Sequence, residues 1–277
     1  MKEKIKKIRL DIFLLENGYA SSREKAKSMI MEGLVFVNNQ REDKAGTLIK
    51  PDQKIEIKSD KLKYVSRGGY KLEKALDVFN INVNDKICLD IGASTGGFTD
   101  CFLQNGAKKV YAIDVGTNQL DYKLRINEKV ISIEQFNAKN LNIELFNEEI
   151  NIVSMDVSFI SILKIIPKIK NVIQNEAECI FLIKPQFEAG KEIVDKGKGV
   201  IKDKNIQKDI IENILKYVKS INFSIKGLDY SPIKGPKGNI EFLLYLSLNN
   251  NEENKELEDE EQNLIQKIIN NAHKELD

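Results

Sequence analysis

The first stretch with regular apolar spacing runs from Arg9 to Asn17, where Leu10, Phe13 and Leu14 share one helical face before Gly18 stops the helix. Ser21 or Ser22 can cap a second helix, over about residues 22–32, that buries Ala26, Met29 and Ile30 and ends at Gly33. Two β-prone runs follow at residues 34–39 and 54–57, so residues 1–62 read as two short helices against a small sheet. After a helix at residues 69–79 the pattern changes. Strands are predicted at residues 86–91, 109–114, 130–134, 151–155, 178–184, 224–230 and 241–248, and the clearest helices at 97–104, 161–174 and 205–220. This alternation predicts an α/β fold over residues 63–250, with a mostly parallel, doubly wound sheet of seven strands. Residues 251–277 open on acidic side chains from Glu252 to Glu261. With Leu257, Leu264, Ile265, Ile268 and Ile269 at helical spacing, they predict an acidic amphipathic helix packed on the preceding domain.

A chain of 277 residues, 42% hydrophobic and 31% charged, has material for one full-sized core and a smaller second one. No apolar run approaches the roughly 20 residues of a membrane span, and the lysine-rich start lacks the apolar centre of a signal peptide. A cytoplasmic protein without a membrane partner is therefore expected. Cys88, Cys101 and Cys179 lie in apolar segments and His273 is the one histidine, so reduced, buried thiols and no metal are expected. The net charge of +1 conceals an asymmetry: 17 basic against 10 acidic residues up to Lys71 give +7, which leaves −6 for the remainder. Such a split suggests that the N-terminal part meets a polyanion.

Arg9, Arg23, Lys25 and Lys27 fall near the turn between the first two helices, where cations and the amides of a helix start behind Ser22 can converge on phosphates. An ordinary solvated charged face would use the same residues. Further on, the first strand of the α/β domain ends in Leu89-Asp90-Ile91-Gly92-Ala93-Ser94-Thr95-Gly96-Gly97-Phe98, whose glycines allow close approach to a ligand. A dinucleotide fingerprint would need glycine at position 94, and a P-loop would need lysine after Gly97. A sulfonium ligand with an amino-acid tail suits Asp90 better. Asp114, closing the second strand, can accept both ribose hydroxyls of a nucleoside, and Asn137, after the third, can meet adenine or merely cap a turn. Lys71, Asp156, Lys184 and Glu241 stand at strand ends or just before the fold, where the sheet order can bring them to one rim.

The N-terminal pattern Arg9-Leu10-Asp11, Gly18, Ser22-Arg23, Ala26, Ile30, Gly33, Val35, Val37-Asn38 resembles the S4 domain, an RNA-binding module. Six further motifs resemble the TlyA family: Ser66 to Leu72, Asp90 to Cys101, Ala112 to Gly116, Met155 to Ser161, Ile183 to Glu188 and Gly235 to Phe242. Members of that family, also called hemolysin A, join an S4 domain to an FtsJ-like ribosomal RNA 2'-O-methyltransferase. The resemblance spans Arg9 to Leu248 and excludes the acidic tail. It implies a Rossmann-like class I methyltransferase fold, S-adenosylmethionine as cofactor, and ribosomal RNA within ribosomal subunits as partner, with cytidine ribose as methyl acceptor. Lys71, Asp156, Lys184 and Glu241 match the family's catalytic tetrad. The cofactor positions fall on Asp90, Gly92, Ser94, Gly96, Gly97 and Phe98, on Asp114 and Val115, on Asn137 and on Asp156. Arg67 joins Arg9, Ser22, Arg23, Lys25 and Lys27 in the expected RNA-binding set, and a monomer is expected.

In the reaction so implied, Lys184 either draws the proton from the ribose hydroxyl or positions the oxygen while charge develops. The base role requires a lowered pKa, which a neighbouring Lys71 would favour and Asp156 and Glu241 would oppose. Competing readings are a nucleotide-cofactor oxidoreductase, a ribosome-binding factor without catalysis, and a membrane-lytic hemolysin.

Overall fold

The computed structural model describes residues 7–20, 22–31, 33–38, 40–57, 62–248 and 259–277. Ser21, Glu32, Asn39 and residues 252–258 with Leu257, all used above, lie outside them. The chain divides into two compact units, Met1–Lys63 and Tyr64–Asp277.

In the first unit, strand β1 (Ile8–Arg9) leads into helices α1 (Leu10–Glu16) and α2 (Arg23–Met31), followed by β2 (Val35–Val37), β3 (Gln40–Arg41), β4 (Leu48–Ile49) and β5 (Ile55–Ile57). Ser22 Oγ accepts the Lys25 amide at 3.1 Å and so caps α2. Gly18 and Gly33 take positive φ after the helices, as a tight exit needs. β2 is central in an antiparallel sheet, pairing Val35 with Ile57 and Phe36 with Arg41. Its inward face, Val35 and Val37, closes on Leu10, Leu14, Ala26, Ile30 and Ile49. The short strands β1, β3 and β4 lack a two-residue alternation long enough to register in the sequence.

The second unit begins with α3 (Gly68–Phe79). There follow β6 (Ile87–Ile91), α4 (Gly97–Gln104), β7 (Lys109–Ile113), α5 (Tyr122–Arg125), β8 (Val130–Ile133), β9 (Ile150–Met155), α6 (Ile166–Lys170), β10 (Ile173–Ile183), α7 (Pro185–Glu188) and α8 (Lys191–Lys196). Helix α9 (Lys204–Ser220), β11 (Phe223–Tyr230), β12 (Phe242–Leu248) and α10 (Asp259–Leu276) complete it. The sheet order is β11-β12-β10-β9-β6-β7-β8, parallel from β10 to β8, with β12 antiparallel to both its neighbours. This is a Rossmann-like mixed sheet, and the first unit is a small α+β module.

Alternate strand residues serve opposite layers. Cys88, Val110, Ile152, Ile180 and Leu182 pack with Leu72 and Leu76 of α3 and Phe98 and Phe102 of α4. Leu89, Ile91, Val153, Met155, Phe181 and Ile183 pack with α6 and α9. Burial on both faces explains why these strands are nearly continuous apolar runs. Cys88, Cys101 and Cys179 are buried, and none of them forms a disulfide.

Two expectations are corrected. Residues 161–174 do not form one helix: a 3-10 turn at Ile162–Lys164 is followed by the five-residue α6, and Ile173 already pairs with Ile150. Pro167 lacks the N–H that would continue the helix from the turn before it, and β-branched Ile173 is claimed by the sheet. In α10 the buried face is Ile265, Ile269 and Ala272, whereas Leu264 is exposed. Ion pairs from Lys219 to Glu261 (2.6 Å) and Lys234 to Asp277 (2.6 Å) fasten this helix to α9 and to the turn after β11.

Candidate active site

The chain passes from β6 outward to β7 and β8 and returns on the other side of β6 as β9. The loops after β6 and β9 therefore part at a topological switch point, where parallel sheets bind ligands. The fork is tight: Asp156 N–H donates to the Ile91 carbonyl (3.0 Å), and a Cβ on Gly92, at φ +83°, would come within 2.7 Å of the Asp156 carbonyl oxygen.

On this rim four side chains from four elements alternate in charge. Lys71, on the first turn of α3, donates to Glu241 Oε2 at 2.7 Å and to Asp156 Oδ2 at 3.2 Å. Lys184, closing β10, meets Asp156 Oδ1 at 2.5 Å and donates to Ser158 Oγ at 3.1 Å. Lys71 and Lys184 are each 7% exposed and Glu241 1%, so the cluster is held away from screening solvent. Burial opposes ionisation of Asp156, but Lys184 and then Lys71 outweigh it and hold the carboxyl at about 2. Burial likewise works against the Lys71 ammonium, and Asp156 and Glu241 overcome it, raising Lys71 above the usual lysine range. Lys71 is thus a fixed cation. Asp156 Oδ1 lies against the Lys184 ammonium and Oδ2 against that of Lys71, so both oxygens of this carboxylate are paired with cations.

The residues expected to meet the cofactor are placed unevenly. Asp114 follows β7, and its oxygens accept the amides of Gly116 (2.7 Å) and Ser94 (2.8 Å), each keeping a lone pair for a hydroxyl. Val115 beside it is 68% exposed, an apolar surface beside that carboxylate. Asp90, by contrast, has no exposed surface: it belongs to the α3–α4 layer and accepts the hydroxyls of Thr99 (2.7 Å) and Ser154 (3.2 Å). Burial pushes its carboxyl up to about 7 against those bonds. Gly96 and Gly97 have reasons inside the protein. A Cβ would strike Leu124 (2.3 Å) at the first and Ser66 Oγ (2.3 Å) and the Gly69 nitrogen (2.8 Å) at the second. Phe98 is buried in the core, and Asn137 is an exposed cap that accepts the Lys139 amide. The free lone pairs of Asp114 and the apolar Val115 together suit a ligand with a ribose and a flat base. S-adenosylmethionine fits that description.

Two aromatic residues had no role in the sequence reading. Phe159 is 91% exposed in a left-handed backbone conformation, φ +64°, and its ring lies 5.2 Å from that of Phe187. Phe187 in turn lies 5.9 Å from Lys184 Nζ. Glu188 ties this loop down by accepting the Ile162 amide at 3.0 Å. A bulky residue at positive φ with its ring in solvent is costly for folding and points to function. The aromatic that follows the polar strand end Asp156-Val157-Ser158 is the only sequence signal for it.

In the first unit, Arg9 and Arg23 are partly spoken for. Arg9 Nε and Nη2 bond both oxygens of buried Asp11 (2.9 and 3.1 Å), and Arg23 Nε bonds Oδ2 at 2.9 Å. The bond from Arg9 is the main reason, ahead of the opposing burial, that the Asp11 carboxyl falls to about 2. Both arginine side chains remain over 40% exposed, so Asp11 orients their guanidinium groups without removing them from solvent or phosphate. Lys25 is exposed and Lys27 half-buried; Arg67, in the second unit, is half-buried ahead of α3.

The FtsJ-like methyltransferase family matches residues 64–248 and the S4 domain matches residues 8–55. The 16S/23S rRNA (cytidine-2'-O)-methyltransferase TlyA of Mycobacterium tuberculosis is 35% identical over 87% of this chain and 90% of its own length. The chain belongs to the TlyA family. A candidate rRNA methyltransferase of Bacillus subtilis shares 46% identity over 98% of this chain and 96% of that protein. Among solved structures, a candidate hemolysin of Streptococcus thermophilus matches with a TM-score of 0.76 and 44% identity, covering 98% of both chains. TlyA relatives thus carry both a methyltransferase and a hemolysin name. Among the described residues of this TlyA member, no helix is long and apolar enough to cross a membrane, and no group of three or more His, Cys, Asp or Glu could hold a metal.

Proposed function

We propose that this chain methylates a ribose 2'-hydroxyl of ribosomal RNA, with S-adenosylmethionine as methyl donor and cytidine as the target nucleoside. The observation that carries the reading is the line Glu241–Lys71–Asp156–Lys184, alternating in charge, at the switch point. The names of the M. tuberculosis and B. subtilis relatives support the substrate class. S-adenosylmethionine, held by Asp114, Val115, the backbone of the Gly92 turn and Asp156, would supply an electrophilic methyl carbon. The Lys184 ammonium, held on the rim by Asp156 and Ser158 Oγ, would position the ribose oxygen while charge develops on it, and the hydroxyl proton would leave to solvent. Lys71, a fixed cation, orients Asp156 and Glu241 and takes no proton in the cycle. Phe159 offers a face for the base of the acceptor nucleotide, as aromatic side chains do for unstacked RNA bases. The S4-like unit, with Arg9 and Arg23 fixed by Asp11 and with Lys25, Lys27 and the Ser22 cap, binds the RNA, and Arg67 contacts it ahead of α3.

The test is methyl transfer from labelled S-adenosylmethionine to unmodified ribosomal subunits, with identification of the product nucleoside. Wild type should yield 2'-O-methylcytidine, and Lys184→Ala should bind the cofactor normally while losing transfer by orders of magnitude. No label on any subunit despite cofactor binding would instead favour a ribosome-binding factor.

A further inference from the structure

The chain leaving Lys184 forms α7 and α8, and α8, the turn behind it and the start of α9 enclose a cleft of about 500 Å3. Its floor is Ile193, Val200, Ile201 and Ile206, and its rim carries Lys196, Lys198 and Lys202. Lys237 joins them from the turn before β12, its Nζ within 3.4 Å of where a Cβ on Gly199 would lie.

This cleft is anchored to the tetrad. Asn239, 1% exposed, donates to the Gly199 carbonyl (2.9 Å) and accepts the Ile201 amide (2.9 Å). Its own carbonyl accepts the Gly235 amide at 2.9 Å, and Gly235 packs so closely on Glu241 that a Cβ there would reach 2.4 Å from Oε1. Gln207, fully buried, donates to the Ile201 carbonyl at 2.8 Å and meets His273 of α10 at 3.0 Å. The cleft wall is therefore fixed on the Glu241 side of the site.

Its charges are unspent. Among the described residues Lys196, Lys198, Lys202 and Lys237 have no carboxylate partner, whereas Lys71, Lys74, Lys123, Lys184, Lys219 and Lys234 all do. The one acid lining the cleft, Asp203, is engaged as the cap of α9, accepting the amides of Asn205 and Ile206. Glu192 and Asp195 are on α8 but do not line it. Unpaired ammonium groups around an apolar floor complement a strand that alternates phosphates with riboses and bases.

We infer that this cleft is a second RNA-binding surface, on the methyltransferase unit, that takes the sugar-phosphate backbone flanking the acceptor nucleotide. The inference rests on reading the chain as an RNA methyltransferase. The test compares the salt dependence of binding to unmodified ribosomal subunits for the full chain, for the triple variant Lys196→Gln, Lys198→Gln, Lys202→Gln, and for a control. The control, Lys86→Gln, Lys108→Gln, Lys129→Gln, removes the same charge just ahead of β6, β7 and β8, at the N-terminal ends of these strands, away from the tetrad. Cofactor binding by each variant checks folding. Each lost phosphate contact lowers the slope of log K against log salt by about 0.7–0.9, so the three lost in the cleft variant should remove roughly 2–3 and the control nearly nothing. Equal slopes for wild type and cleft variant, or equal losses in cleft variant and control, overturn the cleft whatever else it binds, an acidic peptide included. A wild type that neither binds nor methylates subunits would overturn the methyltransferase reading along with it; one that does both, beside an unaltered cleft variant, would overturn the cleft alone.

Discussion

Lys71 and Glu241 stand 170 residues apart in the chain and meet at 2.7 Å, one on a helix that precedes the sheet and the other just ahead of its last strand. Glu241 is almost wholly buried, so its removal leaves the Lys71 ammonium in a dry setting with Asp156 as its remaining carboxylate. A buried pair broken on one side costs about 3–5 kcal/mol, an upper bound here because Asp156 stays, whereas the conservative amide keeps a hydrogen bond. Glu241→Ala should therefore unfold at distinctly lower urea concentration than Glu241→Gln, and both should lose methyl transfer. Identical midpoints for Glu241→Ala and wild type would show that the pair adds nothing to stability.

Asp90 has a folded pKa of about 7, above the ordinary carboxyl value of 3.8, because burial disfavours its charge. Between those values the folded state binds more protons than the unfolded one, so stability falls as pH rises from about 4 to about 7 and is level above that. Asp90→Asn should abolish this component. The check is urea unfolding at pH 5 and pH 8, where the difference between the two pH values should shrink in the variant.

Asp11 has the opposite sign. Its folded pKa of about 2 lies below 3.8, so its contribution is complete above the unfolded value and is lost as pH falls through the folded one. Asp11→Asn should lower the stability of the first unit at neutral pH and remove that acid-dependent loss. Because it also releases Arg9 and Arg23, RNA affinity should fall although no cation has been removed. Unchanged affinity would mean that the carboxylate does not organise the RNA contact.

Phe159 contributes an exposed ring and little packing, so Phe159→Ala should leave the unfolding midpoint and cofactor affinity unaltered. Base–aromatic stacking is worth about 1–3 kcal/mol, which predicts a fall in kcat/KM on ribosomal subunits of roughly 5- to 150-fold. Phe159→Trp should restore most of it. Full activity in the alanine variant would dismiss the stacking role.

Local pattern sufficed for elements whose physics is local. The central strands such as β6 and β9 announce themselves because they are buried on both faces, Ser22 and Gly33 mark α2 by capping chemistry, and α9 shows an unbroken apolar stripe from Ile210 to Val218. It failed where a neighbour decides: Val172 and Ile173 suit helix or strand, and only β9 alongside draws Ile173 into the sheet. The same limit applies to single residues. Gly97 is required by Ser66 and Gly69, Asp90 is turned inward by strand parity toward Thr99 and Ser154, and Arg9 and Arg23 share a carboxylate that no spacing rule pairs with them. From the sequence alone come two domains, an alternating α/β chain and a resemblance that names four polar positions. Tertiary structure alone decides that those four touch in alternating charge, and that Phe159 and the lysine-rimmed cleft stand around them. Contacts at strand ends depend on sheet order, and that order is set by which faces pack together across the whole chain.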